Sequence, residues 1–175
     1  MAAESAIVVS GQARFTVLSP CLLRMEWSPS RTFEDRASLV FVHRRLAVPQ
    51  FTAAHEGGWL VLRTGAVELR YREGSGKFTD ANLQVHFTVA GAQRLWTPGM
   101  RDTANLRGTT RTLDGVQGAT ALEPGLLSRD GWVLVDDSER PLFDGSDWPW
   151  VIERGKGERQ DYYLFAHGHD YLGAL

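Results

Sequence analysis

Two short clusters of ionisable side chains are the first candidates for chemistry in this sequence. Asp136-Asp137-Ser138 is an acidic doublet, and two carboxyl groups that converge can act as an acid and a base. Because adjacent residues of a strand point to opposite faces, we expect this doublet to form a turn that bonds local backbone. His167-Gly168-His169-Asp170 offers zinc or iron ligands, yet no further histidine lies near it in sequence to complete a site. The patterns therefore predict no catalytic residue, no metal site and no cofactor.

A polar, glycine-rich stretch from residue 98 to 131 carries side chains suited to binding hydroxyl groups. Arginine donates paired hydrogen bonds and aspartate accepts them, which is the chemistry that holds sugar hydroxyls. A loop of this length inside a compact domain is usually functional. The candidates for contact with a carbohydrate are Asn105, Arg107, Arg111, Asp114 and Arg129. The alternative interpretation is a solvated loop, or a loop that packs on another domain.

Two tryptophans in an irregular segment form the second candidate binding feature. Trp148-Pro149-Trp150 follows the turn-forming residues Asp144-Gly145-Ser146-Asp147. An indole ring in a loop can stack on the C–H face of a pyranose, which makes Trp148 and Trp150 candidates for sugar contact. Tryptophan is also enriched in protein interfaces, so burial against another domain or local packing is the competing hypothesis.

The composition sets limits on the class of protein. The chain has 175 residues, enough for one domain or at most two, with 19 basic and 21 acidic residues and a net charge of −2. Nucleic-acid-binding domains usually carry a basic patch, so no nucleic-acid partner is predicted. No run approaches the roughly 18 apolar residues of a membrane span, and no secretory signal is visible, so we expect no membrane partner and a cytoplasmic location. Cys21 is the only cysteine and is interpreted as a small buried apolar residue.

The elements that must position these candidates are strands. Apolar residues alternate with polar ones in Leu22–Trp27, 67–72 and 83–89, the pattern of half-buried strands with one wet face. Leu39–Val42 and Trp59–Leu62 are apolar on both faces and are predicted as strands covered on both sides. Turn residues punctuate these runs, and no segment of 12 or more residues has a convincing helical stripe. The fold class predicted is therefore an all-β antiparallel sandwich. Its expected core residues are Phe15, Met25, Val67, Leu69, Leu83, Val85 and Phe87.

Residues 1–166 are expected to form this β-sandwich domain, with 98–131 as its long polar loop. Residues 167–175 are interpreted as a linker and the first turn of a helix, because Asp170 is a good N-cap before Tyr171. The chain stops as this helix begins. That ending predicts a fragment of a longer protein.

Several segments resemble the N-terminal region of glycoside hydrolase family 31. The opening segments are Arg14–Leu18, Leu23–Trp27 and Phe33–Arg36, and the later ones are Asn105–Gly115, Leu122–Trp132, Val135–Ser138 and Gly168–Tyr171. Leu126-Leu127-Ser128-Arg129-Asp130-Gly131-Trp132 is the most specific of these blocks. The resemblance covers nearly the whole chain.

This resemblance implies an N-terminal β-sandwich, similar to the galactose-mutarotase supersandwich, placed before a (β/α)₈ barrel. It implies a retaining α-glycosidase, α-glucosidase-like, whose two catalytic aspartates belong to the barrel. The barrel motif Trp-x-Asp-Met-Asn does not occur in this sequence. We therefore expect a non-catalytic domain that packs on the barrel of the same polypeptide, with a loop at the rim of the site for an α-glucoside or other carbohydrate.

Two other functions remain open from the sequence. One is a free-standing carbohydrate-binding module. The other is a mutarotase-like epimerase, which would need a histidine and a glutamate on one concave sheet face, and His43, His55 and His86 show no epimerase motif. We also expect self-association of the isolated chain, since a docking domain carries an apolar patch and a net charge of −2 repels weakly. The residues expected in that patch are Leu126, Leu127, Trp148, Trp150, Tyr171 and Leu175.

Overall fold

The computed structural model describes residues 1–108 and 112–175. In chain order its strands are β1 (Ile7–Ser10), β2 (Ala13–Ser19), β3 (Leu22–Trp27), β4 (Phe51–Glu56), β5 (Trp59–Thr64), β6 (Val67–Arg72), β7 (Leu83–Val89), β8 (Ala92–Trp96), β9 (Val133–Asp136), β10 (Leu142–Phe143), β11 (Val151–Ile152) and β12 (Gln160–Phe165). The helical elements in this part of the chain are a 3₁₀ turn, Glu4–Ala6, and α1, Tyr171–Ala174. The all-β prediction with a short C-terminal helix is confirmed. Within the described ranges no helix is long and apolar enough to cross a membrane.

Two five-stranded antiparallel sheets build the domain. The first, which we call the terminal sheet, has the order β1-β2-β3-β12-β9, so β12 returns late in the chain to pair with β3. The second, the meander sheet, runs β4-β5-β6-β7-β8 in sequence order. Its short connections, such as the turn after Thr64, set the register that pairs Leu62 with Leu69 and Leu69 with Val85.

The core lies between the two sheets. Alternation sends one face of each strand inward, and side chains from both sheets form a single apolar cluster. Gln160 adds a polar link between the sheets, since its amide exchanges hydrogen bonds of 2.6 and 3.0 Å with the backbone of Phe78. All seven residues predicted for the core are buried: Phe15, Met25, Val67, Leu69, Leu83, Val85 and Phe87.

The outer face of the terminal sheet is also buried, which the sequence did not predict. Arg24 and Glu26 alternate with the core residues of β3 and were expected to face water, but both are buried. They lie beneath a cover layer, defined here as residues 33–44 together with β10 and β11. The expectation of a wet face was therefore wrong for β3. It holds better in the meander sheet, where Glu68 and Arg70 of β6 are half-buried.

Leu39–Val42 belongs to this cover layer and is not the doubly covered strand that its composition predicts. Ser38 makes one isolated bridge to Leu142, and the side chains of Leu39, Val40 and Val42 are exposed. Phe41 turns inward and stacks on Tyr163 at 3.4 Å between ring centroids. The Phe41 ring of this segment therefore packs on the terminal sheet, while its aliphatic side chains are exposed to solvent.

The long loop between β8 and β9 is irregular in the residues that the structure describes. Between β8 and β9, the described residues contain no strand, and an isolated bridge joins Asn105 to Ser128. The C-terminal cap also forms as predicted, because Asp170 Oδ1 accepts a 3.0 Å hydrogen bond from the Gly173 amide. The fold thus brings both ends of this loop and the C-terminal helix to the edge where β9 and β12 pair.

Candidate functional site

Asn105 organises the long loop. Its Nδ2 donates to Asp102 Oδ2 at 2.7 Å and to the Gly125 carbonyl at 3.0 Å. Its Oδ1 accepts hydrogen bonds from the amides of Arg107 at 2.8 Å and Gly125 at 2.9 Å. These four bonds use both ends of the side-chain amide, so Asn105 closes the loop and has no strong donor left for a ligand.

Asp102 is a second hub of this loop, and sequence reasoning missed it. Its Oδ1 accepts a 2.6 Å hydrogen bond from the Ser128 hydroxyl, while Oδ2 holds Asn105. Asp102 Oδ1 also accepts from the Ala104 amide at 3.1 Å, which forms an Asx turn, and an aspartate at the start of a turn was the available signal. The carboxylate therefore joins the two segments of the loop, 102–108 and 122–130.

The other predicted loop residues are positioned unequally. Arg107 is exposed, and its Nη1 donates to the Leu122 carbonyl at 3.1 Å. Arg129 is exposed next to Ser128, so the fold brings it near Asn105 and Arg107. Asp114 is exposed farther along the loop. Arg111 lies outside the described residues.

Two segments far apart in sequence meet at this edge. The Gly168 amide donates to the Gly131 carbonyl at 2.9 Å, and His169 Nε2 lies 3.0 Å from the Arg129 carbonyl oxygen. Gly131 has φ of +78°, and a Cβ there would lie 2.4 Å from Val89 Cγ2. A side chain at this position is therefore excluded both by the backbone conformation and by the space available.

Trp148 and Trp150 project from a separate turn between β10 and β11. One oxygen, Asp144 Oδ1, accepts from the Ser146 amide at 3.1 Å, the Ser146 hydroxyl at 2.8 Å and the Trp150 amide at 3.1 Å. These hydrogen bonds, with that of the Ser146 amide as the largest cause, lower the pKa of Asp144. The turn is thus ordered around a carboxylate that stays ionised.

An ionic network fills the outer face of the terminal sheet. Arg24 binds Asp161 through Nε–Oδ1 at 2.8 Å and Nη2–Oδ2 at 2.7 Å. Arg154 reaches the same Asp161 Oδ2 at 2.8 Å, and Arg14 binds both oxygens of Glu26 at 2.7 and 2.9 Å. Burial alone would raise the pKa of Asp161, but the bonds from Arg24 and Arg154 hold it below its usual value. The carboxylates of Asp161 and Glu26 are therefore paired with arginines, and these ion pairs stabilise the cover layer.

The Asp136–Asp137 doublet separates as predicted. Asp136 is exposed, and its Oδ1 accepts a 2.9 Å hydrogen bond from the Ser138 amide, forming the expected local turn. Asp137 is only 1% exposed, and neither of its carboxylate oxygens has a hydrogen-bond partner. Burial, aided by the charge of Asp161, raises its pKa to about 6, although Ser38 and Arg154 oppose the shift. The two carboxyl groups do not converge on a reacting centre.

A polar pocket of about 520 Å³ borders the ionic network. Its walls are residues 26–36 and 154–160, with Arg154 and Glu26 on the network side. None of the described residues predicted for carbohydrate contact lines it. The sequence missed this pocket because its two walls lie more than 100 residues apart.

The structure places the histidine and cysteine candidates in separate surroundings. No group of three metal-binding side chains occurs in the described part of the chain. Burial lowers the pKa of His167 despite the opposing charge of Asp170. Cys21 is partly exposed rather than buried as predicted, and burial of its thiol, followed by the charge of Asp170, raises its pKa, which disfavours the thiolate.

A histidine and a glutamate do meet elsewhere. His55 Nδ1 lies 2.9 Å from Glu73 Oε2, and the Ser10 hydroxyl donates to Glu73 Oε1 at 2.8 Å. The His55 side chain is 67% exposed. An exposed hydrogen-bonding contact of this kind does not enclose a sugar, so the epimerase hypothesis gains no site from it.

No protein-family model matches the chain, and no curated protein matches it. The site is therefore characterised by its geometry: an ordered polar loop beside the C-terminal segment, a separate aromatic turn, and a buried ionic network.

Proposed function

We propose that this chain is the non-catalytic N-terminal domain of a glycoside hydrolase family 31 enzyme, α-glucosidase-like, which packs on a catalytic (β/α)₈ barrel. The observation that carries the proposal is the meeting of Leu122–Trp132 and Gly168–Tyr171. These are two of the segments through which the sequence resembles the family. They lie some 40 residues apart and are joined by the Gly168–Gly131 and His169–Arg129 contacts.

The surface around this contact suits a large protein partner. Leu126 is 37% exposed, and Leu172 and Leu175 are 87% and 82% exposed. A contiguous exposed apolar area tends to mark an interaction site, and the segments that carry these leucines meet at the Gly168–Gly131 hydrogen bond. We assign this docking face, defined as Leu126, Leu172 and Leu175, to the barrel that the family resemblance implies.

The long loop supports a role at the rim of the substrate site. Asn105 and Asp102 hold the backbone, while Arg107, Arg129 and Asp114 remain exposed for contacts with hydroxyl groups. A loop fixed in this way positions its charged groups without a large loss of conformational entropy on binding. In the proposed enzyme two aspartates of the barrel catalyse hydrolysis, and this chain shapes the entrance to the substrate site.

Two steps test the proposal. The gene is sequenced beyond the codon for residue 175, and the whole polypeptide that it encodes is expressed. We expect barrel sequence to follow and the enzyme to hydrolyse 4-nitrophenyl α-glucoside. Leu126→Asp and Leu172→Asp are expected to lower the thermal unfolding midpoint of the enzyme and to increase amide exchange in residues 122–132. Val9→Asp is the matched control, since Val9 is an exposed apolar residue on β1.

Two results would overturn the proposal. The first is a reading frame without barrel sequence after residue 175. The second is a full enzyme in which both docking-face substitutions behave like Val9→Asp in unfolding and in amide exchange.

A further inference from the structure

We propose that the Trp148-Pro149-Trp150 turn is a platform that binds the pyranose rings of an oligosaccharide. Trp148 is 76% exposed and Trp150 is 66% exposed. Among the other tryptophans, Trp27, Trp96 and Trp132 are buried in the core. Because exposure of an indole forfeits the apolar burial it could contribute, two neighbouring exposed indoles indicate a surface kept free for a ligand.

Trp59 is a tryptophan that packs against neighbouring side chains of its own sheet. Its ring on β5 lies under the guanidinium groups of Arg70 and Arg72, at 5.5 and 5.9 Å from the ring centroid. It is only partly exposed. The indoles of Trp148 and Trp150 present far more of their surface, so their faces remain open for stacking.

The turn is ordered before any ligand arrives. Asp144 Oδ1 accepts three hydrogen bonds from Ser146 and Trp150, and the Asp144 amide donates to the Trp150 carbonyl at 3.0 Å, closing the turn on itself. Pro149 fixes the backbone φ between the two indoles. A platform that is already rigid loses little conformational entropy on binding, which favours even a weak ligand.

The charges beside the indoles favour a sugar over a dry protein interface. Asp147 is exposed directly before Trp148, and the Asp144 carboxylate lies at the base of the turn. A protein surface that covered the tryptophans would have to bury these carboxylates, which is costly without a cationic partner. A pyranose instead brings hydroxyl donors for the carboxylates and a C–H face of positive character for the negative face of the indole. This chemistry selects a neutral oligosaccharide.

The proposal of a sugar-binding platform does not depend on the proposed docking of this chain on a catalytic barrel. Trp148 and Trp150 lie between β10 and β11, whereas the docking face comes from the long loop and α1. Oligosaccharide binding by the 175-residue chain therefore tests the platform alone, while the reading frame and the docking-face variants test the family assignment.

Calorimetric titration tests the platform. The 175-residue chain is titrated with maltoheptaose and, separately, with cellohexaose. These probes present α- and β-linked glucose. We expect at least one to bind with a Kd on the order of 1 mM or tighter. Trp148→Ala and Trp150→Ala are expected to weaken binding about tenfold or more, and Trp59→Ala, the matched control on the meander sheet, by less than about twofold.

A second measurement requires no substitution. Titration of the wild-type chain, followed by NMR of its indole N–H groups, is expected to shift the Trp148 and Trp150 signals and to leave those of the buried tryptophans unchanged.

Three outcomes would overturn the proposal. One is the absence of binding by both probes at about 10 mM. Another is binding that survives both tryptophan substitutions. The third is a sedimentation series in which Trp148→Ala abolishes self-association while no probe binds, which would make the turn a contact between copies of the chain.

Discussion

Arg24 and Asp161 form a two-pronged ion pair on the outer face of the terminal sheet, with contacts of 2.8 and 2.7 Å between side chains at most 3% exposed. The two residues lie 137 positions apart in sequence. They belong to β3 and β12, whose register places Arg24 opposite Tyr163, two positions along from Asp161 and on the same face of the sheet. This ion pair therefore ties the late strand β12 to the N-terminal hairpin, and Arg154, two residues after β11, binds the same carboxylate.

Removing one partner of this pair is expected to destabilise the domain strongly. Arg24→Ala leaves Asp161 buried with part of its compensating charge lost, a change that typically costs about 3–5 kcal/mol. Urea unfolding of the variant and the wild type measures the difference. Arg63→Ala, which breaks the exposed contact with Glu56, is the control and is expected to leave the midpoint nearly unchanged. Equal effects of the two substitutions would contradict a structural role for the buried network.

Asp137 is expected to make stability depend on pH in the opposite sense to most carboxylates. Its folded-state pKa is raised from 3.8 to about 6, so between these values the native state binds more protons than the unfolded state. Stability from this group is therefore present at low pH and falls as pH rises toward about 6. Asp137→Asn removes the charge, and we expect it to stabilise the protein at pH 7.5 by about 1–3 kcal/mol.

The same comparison at pH 4 provides the internal control for this substitution. There Asp137 is protonated in the folded protein, so the gain from Asn is expected to vanish. Urea unfolding at the two pH values measures both quantities. Arg154 Nη1 lies 3.8 Å from Asp137 Oδ2, beyond hydrogen-bond distance. An Asn variant that is less stable than the wild type at pH 7.5 would show that this ion pair stabilises the carboxylate.

Leu69 tests the sandwich core. It is fully buried in β6 and pairs with Leu62 and Val85 on the neighbouring strands. Leu69→Ala is expected to cost about 2–5 kcal/mol through lost burial and the cavity it leaves. Val9→Ala on β1, where the side chain is exposed, is the control and is expected to stay within about 0.5 kcal/mol of the wild type. A loss below that limit for Leu69→Ala would place the residue outside the core.

Asn105→Asp is expected to loosen the long loop without unfolding the domain. The substitution removes both Nδ2 donors and places a second carboxylate beside Asp102. Hydrogen exchange is expected to speed up at the amides of Leu106 and Gly125, by an amount equivalent to about 1–3 kcal/mol, while the strands stay protected. Asp114→Ala serves as the comparison within the same loop. Unchanged exchange in the Asn105 variant would mean that backbone contacts alone hold the loop.

The 175-residue chain by itself is expected to have no glycosidase activity. A retaining mechanism needs two carboxyl groups about 5–5.5 Å apart that both reach the substrate. Asp136 and Asp137 diverge, and Glu26 and Asp161 are buried against arginines. An assay of the pure protein with 4-nitrophenyl α-glucoside tests this. Robust turnover that disappears when one acidic residue of the chain is replaced would contradict the prediction.

The sequence by itself determined those strands in which apolar and polar residues alternate, because this alternation specifies which side chains are buried. In β6 and β7 the apolar residues recur every second position, and Leu69, Val85 and their neighbours are buried as that period requires. The turn after Thr64 and the cap at Asp170 were also predictable, because both rest on bonds between residues three positions or fewer apart. Local spacing carries this information because strand geometry and turn chemistry act over a few residues.

Only the tertiary structure decided that the outer face of the terminal sheet is covered. The period of β3 separates Arg24 and Glu26 from the core, but their burial depends on the cover layer and on Asp161, which are distant in sequence. The same distance explains why Leu39–Val42 forms no strand: the isolated bridge to Leu142 is made by Ser38, just before the segment, and Phe41 packs on the ring of Tyr163. Periodicity specifies two faces, whereas burial of the outer one is set by long-range pairing that alternation does not encode.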